Sequence, residues 1–264
     1  MWEKVLRIWN IKALRSNILF VLGMLVIFRA AAHIPVPGVN VANLQNFFNS
    51  NQALGLLNLF SGGTLENFSV VLMGVAPYIT SSIIFQLLGK VVPSFEELQK
   101  EGESGQQKIN MYTRLATVPL ALLQSFGMIK LLSNSQLGII GVLSAFQFVS
   151  IMLTVTAGTV FLMWIGELIT ERGIGNGISL LIFSAIISSF PTAMQNAIVN
   201  YNSSQFYTYL LFVVLSVLTV VGVVVITEGQ RNIPISYAKQ VRGSRSFGGV
   251  KSHLPLRVNM AGVI

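Results

Sequence analysis

Six mostly apolar stretches alternate with polar segments along the chain: Asn17–Ile34, Phe68–Gly89, Leu115–Leu132, Phe146–Leu168, Gly177–Val199 and Tyr207–Thr227. A bilayer core is about 30 Å thick and a helix rises about 1.5 Å per residue, so about 20 apolar residues span it. The pattern therefore predicts six transmembrane helices. The fifth is the weakest, because Ser184, Ser188, Ser189 and Pro191 interrupt it. A further apolar run begins near Val258 and is too short to span before Ile264. Residues 1–16 predict an interfacial amphipathic helix. Trp2, Val5, Leu6 and Trp9 share one face, and Lys4 and Lys12 lie off it. The basic start and Ala30-Ala31-Ala32 mimic a cleavable leader. The spans that follow, and Arg29 inside the run, favour a retained signal anchor.

Composition agrees with a bilayer. The 264 residues are 53% hydrophobic and 10% charged, against about 25% charged in soluble domains. An ordinary cytosolic globule and a disordered chain are excluded. Cysteine is absent, which removes disulfide frameworks, zinc–thiolate sites and cysteine nucleophiles.

The formal net charge of +8 gains meaning from its distribution. Lys4, Arg7, Lys12 and Arg15 precede the first span. Lys90, Lys100, Lys108 and Arg114 lie between the second and third, and Arg172 between the fourth and fifth. Arg231, Lys239, Arg242, Arg245, Lys251 and Arg257 follow the sixth. Fifteen of the 17 bases thus fall on one side, and the opposite loops (about 35–67, 133–145 and 200–206) hold none. The positive-inside rule places the N-terminus in the cytoplasm, with an even number of complete spans. It also supports the weak fifth span, whose loss would put the last basic loop outside.

Several features bear on chemistry. After the rigid Pro35-Val36-Pro37-Gly38 turn, the outer loop carries a short apolar run, Leu54 to Phe60, then Ser61-Gly62-Gly63. Such a run forms either a half-helix entering the membrane, buried in protein or lining a cavity, or an extracytoplasmic loop with one buried turn. In the second span, Gly74, Pro77, Thr80, Ser81 and Ser82 suit close helix packing. Val75, Ile79 and Gln86 broadly share a face and also suit a hydrophilic pathway with an apolar constriction. Gly173, Gly175 and Gly177 form a tight turn between spans, not a dinucleotide fingerprint, since no strand precedes them. Arg29 and Lys130 sit near span ends, where they snorkel, and Glu167 lies at the cytoplasmic edge. No acid sits mid-membrane and no cluster has metal-ligand spacing. No Ser has a positioned Lys or His base. These absences disfavour an ion-coupled transporter and an intramembrane protease. The long inner loops, around Phe95–Gly105 and from Glu228 to about Arg257, fit lipid headgroups or a cytosolic docking partner.

Several phrases together carry a resemblance. They are Ile34-Pro35-Val36-Pro37-Gly38, Pro77-Tyr78-Ile79 with Ser82-Ile83-Ile84 and Gln86, Lys100-Glu101-Gly102-Glu103-Ser104-Gly105, Gly166 to Ser179, Glu228-Gly229-Gln230-Arg231, Tyr237-Ala238-Lys239, and Leu254 to Ile264. In this order they resemble the SecY family, the channel subunits of the bacterial Sec protein translocase. The resemblance implies an all-α polytopic membrane protein, a clam-like ten-helix channel with two halves. This chain resembles the first half (17–199), then helix six, the basic loop 228–257 and the start of helix seven (200–264).

The same resemblance implies site roles. Leu56, Leu57, Leu59, Phe60, Ser61, Gly62 and Gly63, within 54–63, are expected in a plug. Val75, Ile79, Ile182 and Ile186 are expected in an apolar pore ring. Ser81, Ser82, Phe85 and Gln86 are expected on one side of a lateral gate. Lys100, Lys108, Arg231, Lys239, Arg242, Arg245 and Lys251 are expected to dock the ribosome or the SecA motor. The implied partners are SecE and SecG, SecA, the ribosome, signal sequences, nascent polypeptides and membrane lipid. The implied location is the bacterial cytoplasmic membrane. No cofactor, metal or enzymatic activity is implied. Two rival readings are a secondary transporter with broken helices and a truncated, non-conducting chain that binds translocon partners.

Overall fold

The computed structural model describes residues 11–37, 39, 43–45, 48, 61, 63–133, 141, 144–199, 206–236, 240–242, 245–247 and 251–259. The chain divides into two compact units, residues 1–195 and 196–264.

The first unit is helical. Its elements are α1 (Lys12–Ala32), α2 (Ala76–Val91), α3 (Pro93–Lys100), α4 (Glu103–Ser133), α5 (Ala145–Glu171) and α6 (Gly177–Val199), the last running into the second unit. α1, α4, α5 and the 177–196 part of α6 are long and apolar enough to cross a membrane. α4 carries Pro119 yet stays helical over 31 residues, reaching well before the expected Leu115. α5 starts in a capping box: the Ser144 hydroxyl accepts from the Gln147 amide, and the Gln147 side chain accepts from the Ser144 amide. The interfacial helix expected over 1–16 lies mostly outside the described residues; its last turn joins α1.

The second span differs from its expectation. The helix does not begin at Phe68 but at Ala76, with Pro77 in its first turn. Residues 63–75 are turns instead. Phe68 (φ +44°), Gly63 (φ +80°) and Gly74 (φ +55°) all occupy left-handed backbone, which an α-helix cannot propagate. Sixteen residues of α2 measure about 24 Å, short of a bilayer core, so this helix spans only with the turns that precede it. Those turns are buried, as non-helical backbone at membrane depth must be. Leu65, Phe68 and Leu72 pack into one apolar cluster with Val36, Ile129, Leu132, Ile151 and Val155. Val71 and Val75 enter another with Val21, Phe28, Leu162, Ile165 and Leu181. The segment is a wedge between the two halves of the core. Its backbone is also tied to the first outer turn: the Val36 amide donates to the Phe68 carbonyl (2.9 Å) and the Val70 amide to the Ile34 carbonyl (3.0 Å).

In the second unit, α7 (Phe206–Glu228) is long and apolar enough to cross a membrane. Beyond it the chain forms two antiparallel ladders that the apolar pattern did not anticipate. The outer ladder pairs β1 (Gln230–Ser236) with β4 (Lys251–Arg257), and the inner pairs β2 (Gln240–Arg242) with β3 (Arg245–Phe247). The register sets Ile233 opposite Leu254 and Arg242 opposite Arg245.

Candidate functional site

An apolar cavity of about 350 Å3 opens inside the first unit. The turn segment, α1, α2, α4, α5 and α6 all contribute to its wall, through Phe28, Leu72, Met73, Met128, Leu162 and Leu181 among others. Val75, Ile79 and Ile182 line it together. Val75 caps α2 at its start and Ile79 follows one turn later, so both present the same side. Ile186 lies one turn beyond Ile182 on α6, is 43% exposed, and is not among the lining residues. The polar side chains in the wall are Ser61 and Thr64, with the Thr64 hydroxyl donating to the Ser61 carbonyl at 3.1 Å. A wall of this chemistry offers water almost no hydrogen bonds, so a narrow passage through it resists wetting.

Of the residues expected in a plug, Ser61 is described and lies at the cavity, and Gly63 makes a left-handed turn between the lining residues Ser61 and Thr64. Leu56, Leu57, Leu59, Phe60 and Gly62 lie outside the described residues.

The gate-side candidates face different ways. Ser81 is fully buried, and its hydroxyl donates to the Thr113 carbonyl of α4 at 2.8 Å. Gln86 is exposed and donates to the Ser82 hydroxyl at 3.2 Å. The open side of α2 carries Ile83, Ile84 and Leu87. Phe85 stacks with Tyr112 of α4 and tilts against Phe95 of α3.

The docking candidates occupy two places. Lys100 pairs with Glu96 (2.7 Å) and Lys108 with Glu101 (3.2 Å), all exposed in the elbow formed by α3 and α4. Arg231 stands exposed on β1 and Lys251 begins β4. Arg242 and Arg245 are register partners, and Lys239 lies outside the described residues.

Sequence pattern alone missed three fasteners. Arg114 of α4 forms an ion pair with Glu167 of α5. Two opposite charges at adjoining ends of neighbouring spans were the available signal. Gly158 of α5 abuts the Val70 carbonyl so closely that a Cβ would overlap it; a lone glycine in a span was the only hint. Asn17 donates to the Arg172 carbonyl (3.0 Å), and the Arg172 guanidinium lies 4.5 Å from the Phe20 ring centroid. This joins the start of α1 to the α5–α6 turn. That turn is made by Gly173 and Gly175, both with positive φ. Among the described residues, no group of His and Glu side chains is placed to hold a metal ion.

The family model that matches this chain is SecY, over residues 69–264. The chain belongs to the SecY family. It is 47% identical over 262 residues to the protein translocase subunit SecY of Corynebacterium glutamicum, covering 95% of this chain and 59% of that protein. It is 44% identical over 264 residues to its namesake in Streptomyces coelicolor, covering 95% and 60%. With that of Pseudomonas aeruginosa the identity is 43% over 263 residues, covering 97% and 58%. The chain thus spans about 59% of the length of the curated SecY relatives it matches. SecY membership and, among the described residues, five helices long and apolar enough to cross a bilayer make it a multi-pass membrane protein. The match takes in α2 with its preceding turns, the cavity residues of α5 and α6, and the ladders after α7.

Proposed function

We propose that this chain is the channel-forming N-terminal part of a Sec translocon subunit, which conducts unfolded polypeptides across the bacterial cytoplasmic membrane. Hydrophobic segments leave it sideways into the bilayer. The observation that carries the reading is the 350 Å3 apolar cavity in which Val75, Ile79 and Ile182 converge. A ring of such side chains grips a passing chain without specific bonds and keeps the resting channel dry. Ile186 extends the ring along α6, and the 54–63 segment with Ser61 and Gly63 closes its outer side as a plug. Ser82, Phe85 and Gln86 flank the lateral exit, and Ser81 fastens that flank to α4.

The N-terminus and the basic loops face the cytoplasm, in keeping with the one-sided distribution of Lys and Arg. The segment beyond α7 carries six bases and, after Glu228, no acid. The register of the inner ladder sets Arg242 opposite Arg245. The ribosome and the SecA motor dock there, and SecE and SecG complete the complex. The energy comes from these partners, and the chain itself needs no cofactor.

The test is ion conductance of the full-length channel with its partner subunits in liposomes. Ile79→Lys or Ile182→Lys opens a resting leak to small ions. Unchanged resting conductance in both variants would overturn the ring assignment.

A further inference from the structure

We infer that α3 is a rigid lever whose aromatic contacts make the gate helix α2 move with the cytoplasmic elbow. This rests on the reading of α2 as one flank of the lateral exit. Three rings, one from each helix, close a triangle. Phe85 of α2 lies 5.6 Å from Phe95 of α3, Phe95 lies 6.1 Å from Tyr112 of α4, and Tyr112 lies 6.3 Å from Phe85. Each pair is at a separation where aromatic rings attract beyond their area burial.

The joints around the triangle leave little play. One non-helical residue, Val92, separates α2 from α3; its amide closes α2 on the Leu88 carbonyl, and Pro93 starts the next helix. On the far side of α3, Gly105 of α4 lies directly under the Leu98 carbonyl, where a Cβ would overlap backbone. Gly102, with φ +74°, makes the turn between them. Below the triangle, the buried Ser81 hydroxyl holds α2 to the Thr113 carbonyl. The other end of α2 is different. It issues from the buried turns of residues 63–75, which pack with other parts of the core and share none of the aromatic contacts. The inner end of α2 thus follows its clamp. Load on the elbow that carries Lys100 and Lys108 is therefore delivered to α2.

Phe95 and Gly105 are positioning residues in this arrangement. The absence of native cysteine permits paired spin labels at introduced cysteines in the full-length channel with its partner subunits. Labels at Leu87 and Glu97 report α2 against α3, and labels at Leu87 and Phe183 report α2 against α6. The probe is a ribosome bearing a stalled nascent chain. In the parent, docking shifts the 87–183 distance while the 87–97 distance stays narrow. Phe95→Ala keeps ribosome affinity within about twofold, broadens the 87–97 distribution, and lowers the docking-induced open fraction about fivefold or more, the scale of losing two aromatic pairs. Phe95→Tyr restores both. Gly105→Ala, which leaves the rings intact but lifts α3 from α4, gives the same loss. A full 87–183 shift in Phe95→Ala and Gly105→Ala would overturn the lever. A parent that binds the ribosome with no 87–183 shift would overturn it together with the gate reading, and that outcome is recognisable before any variant is made.

Discussion

Gly158 and Ser69 show how finely the turn segment is seated. Gly158 has no side chain, so α5 meets the Val70 carbonyl directly. Gly158→Ala must displace either the helix or the segment, and overpacking of this kind costs about 1–3 kcal/mol. Thermal unfolding of the full-length protein in detergent is expected to show the variant less stable. Ser69 next to it is fully buried, and its hydroxyl has no hydrogen-bond partner among the described residues. An unpaired buried hydroxyl carries a desolvation penalty of about 1–3 kcal/mol. Ser69→Ala removes it, so the same unfolding assay is expected to show equal or greater stability. A marked loss in Ser69→Ala would mean that the hydroxyl has a partner in the folded protein. The ion pair of Arg114 with Glu167 is half-exposed on the arginine side, and a double-mutant cycle of Arg114→Met and Glu167→Gln is expected to give a coupling of about 1 kcal/mol or less.

At the scale of elements, the spans were legible because an apolar run of about 20 residues leaves few alternatives in a bilayer. α5, α6 and α7 match their expected ends to within a few residues. The start of α2 was not legible. Val70, Val71, Leu72 and Met73 are as apolar as a helix would be, and only backbone sign at Phe68 and Gly74 makes them turns. Hydropathy does not encode φ. The ladders beyond α7 were hidden for another reason. The apolar residues Ile233, Leu254 and Leu256 of the outer ladder are exposed, so they mark no buried face with a clean period of two. Their register is open to test in the cysteine-free background. Cysteines replacing Ile233 and Leu254, which sit directly opposite, are expected to crosslink on mild oxidation in the full-length protein. Efficient crosslinking of 233 to 252 or 256 instead would mean a slipped ladder.

Over the whole molecule, charge and apolarity divide the work. In the proposed channel, the bases mark the side on which partners approach, and the apolar cavity marks where a chain passes. Charge reversal at Arg242 and Arg245 is expected to weaken docking of ribosome and SecA in a sedimentation assay, most strongly at low salt, where screening is least. The sequence made Val75, Ile79 and Ile182 recognisable through resemblance. It did not reveal that turns, α1 and α4 complete their cavity, because those contacts join residues as distant as Phe28 and Ala185.

The central claim is that this cavity lies on the path of translocating polypeptide. Photocrosslinking groups at positions 79 and 182 of the full-length channel, with a translocation intermediate stalled inside, test it most directly. A polar stalled chain is expected to crosslink from both positions, and not from Leu123, which is 68% exposed on the outside of α4. Crosslinks from 123 and none from 79 or 182 would contradict the path.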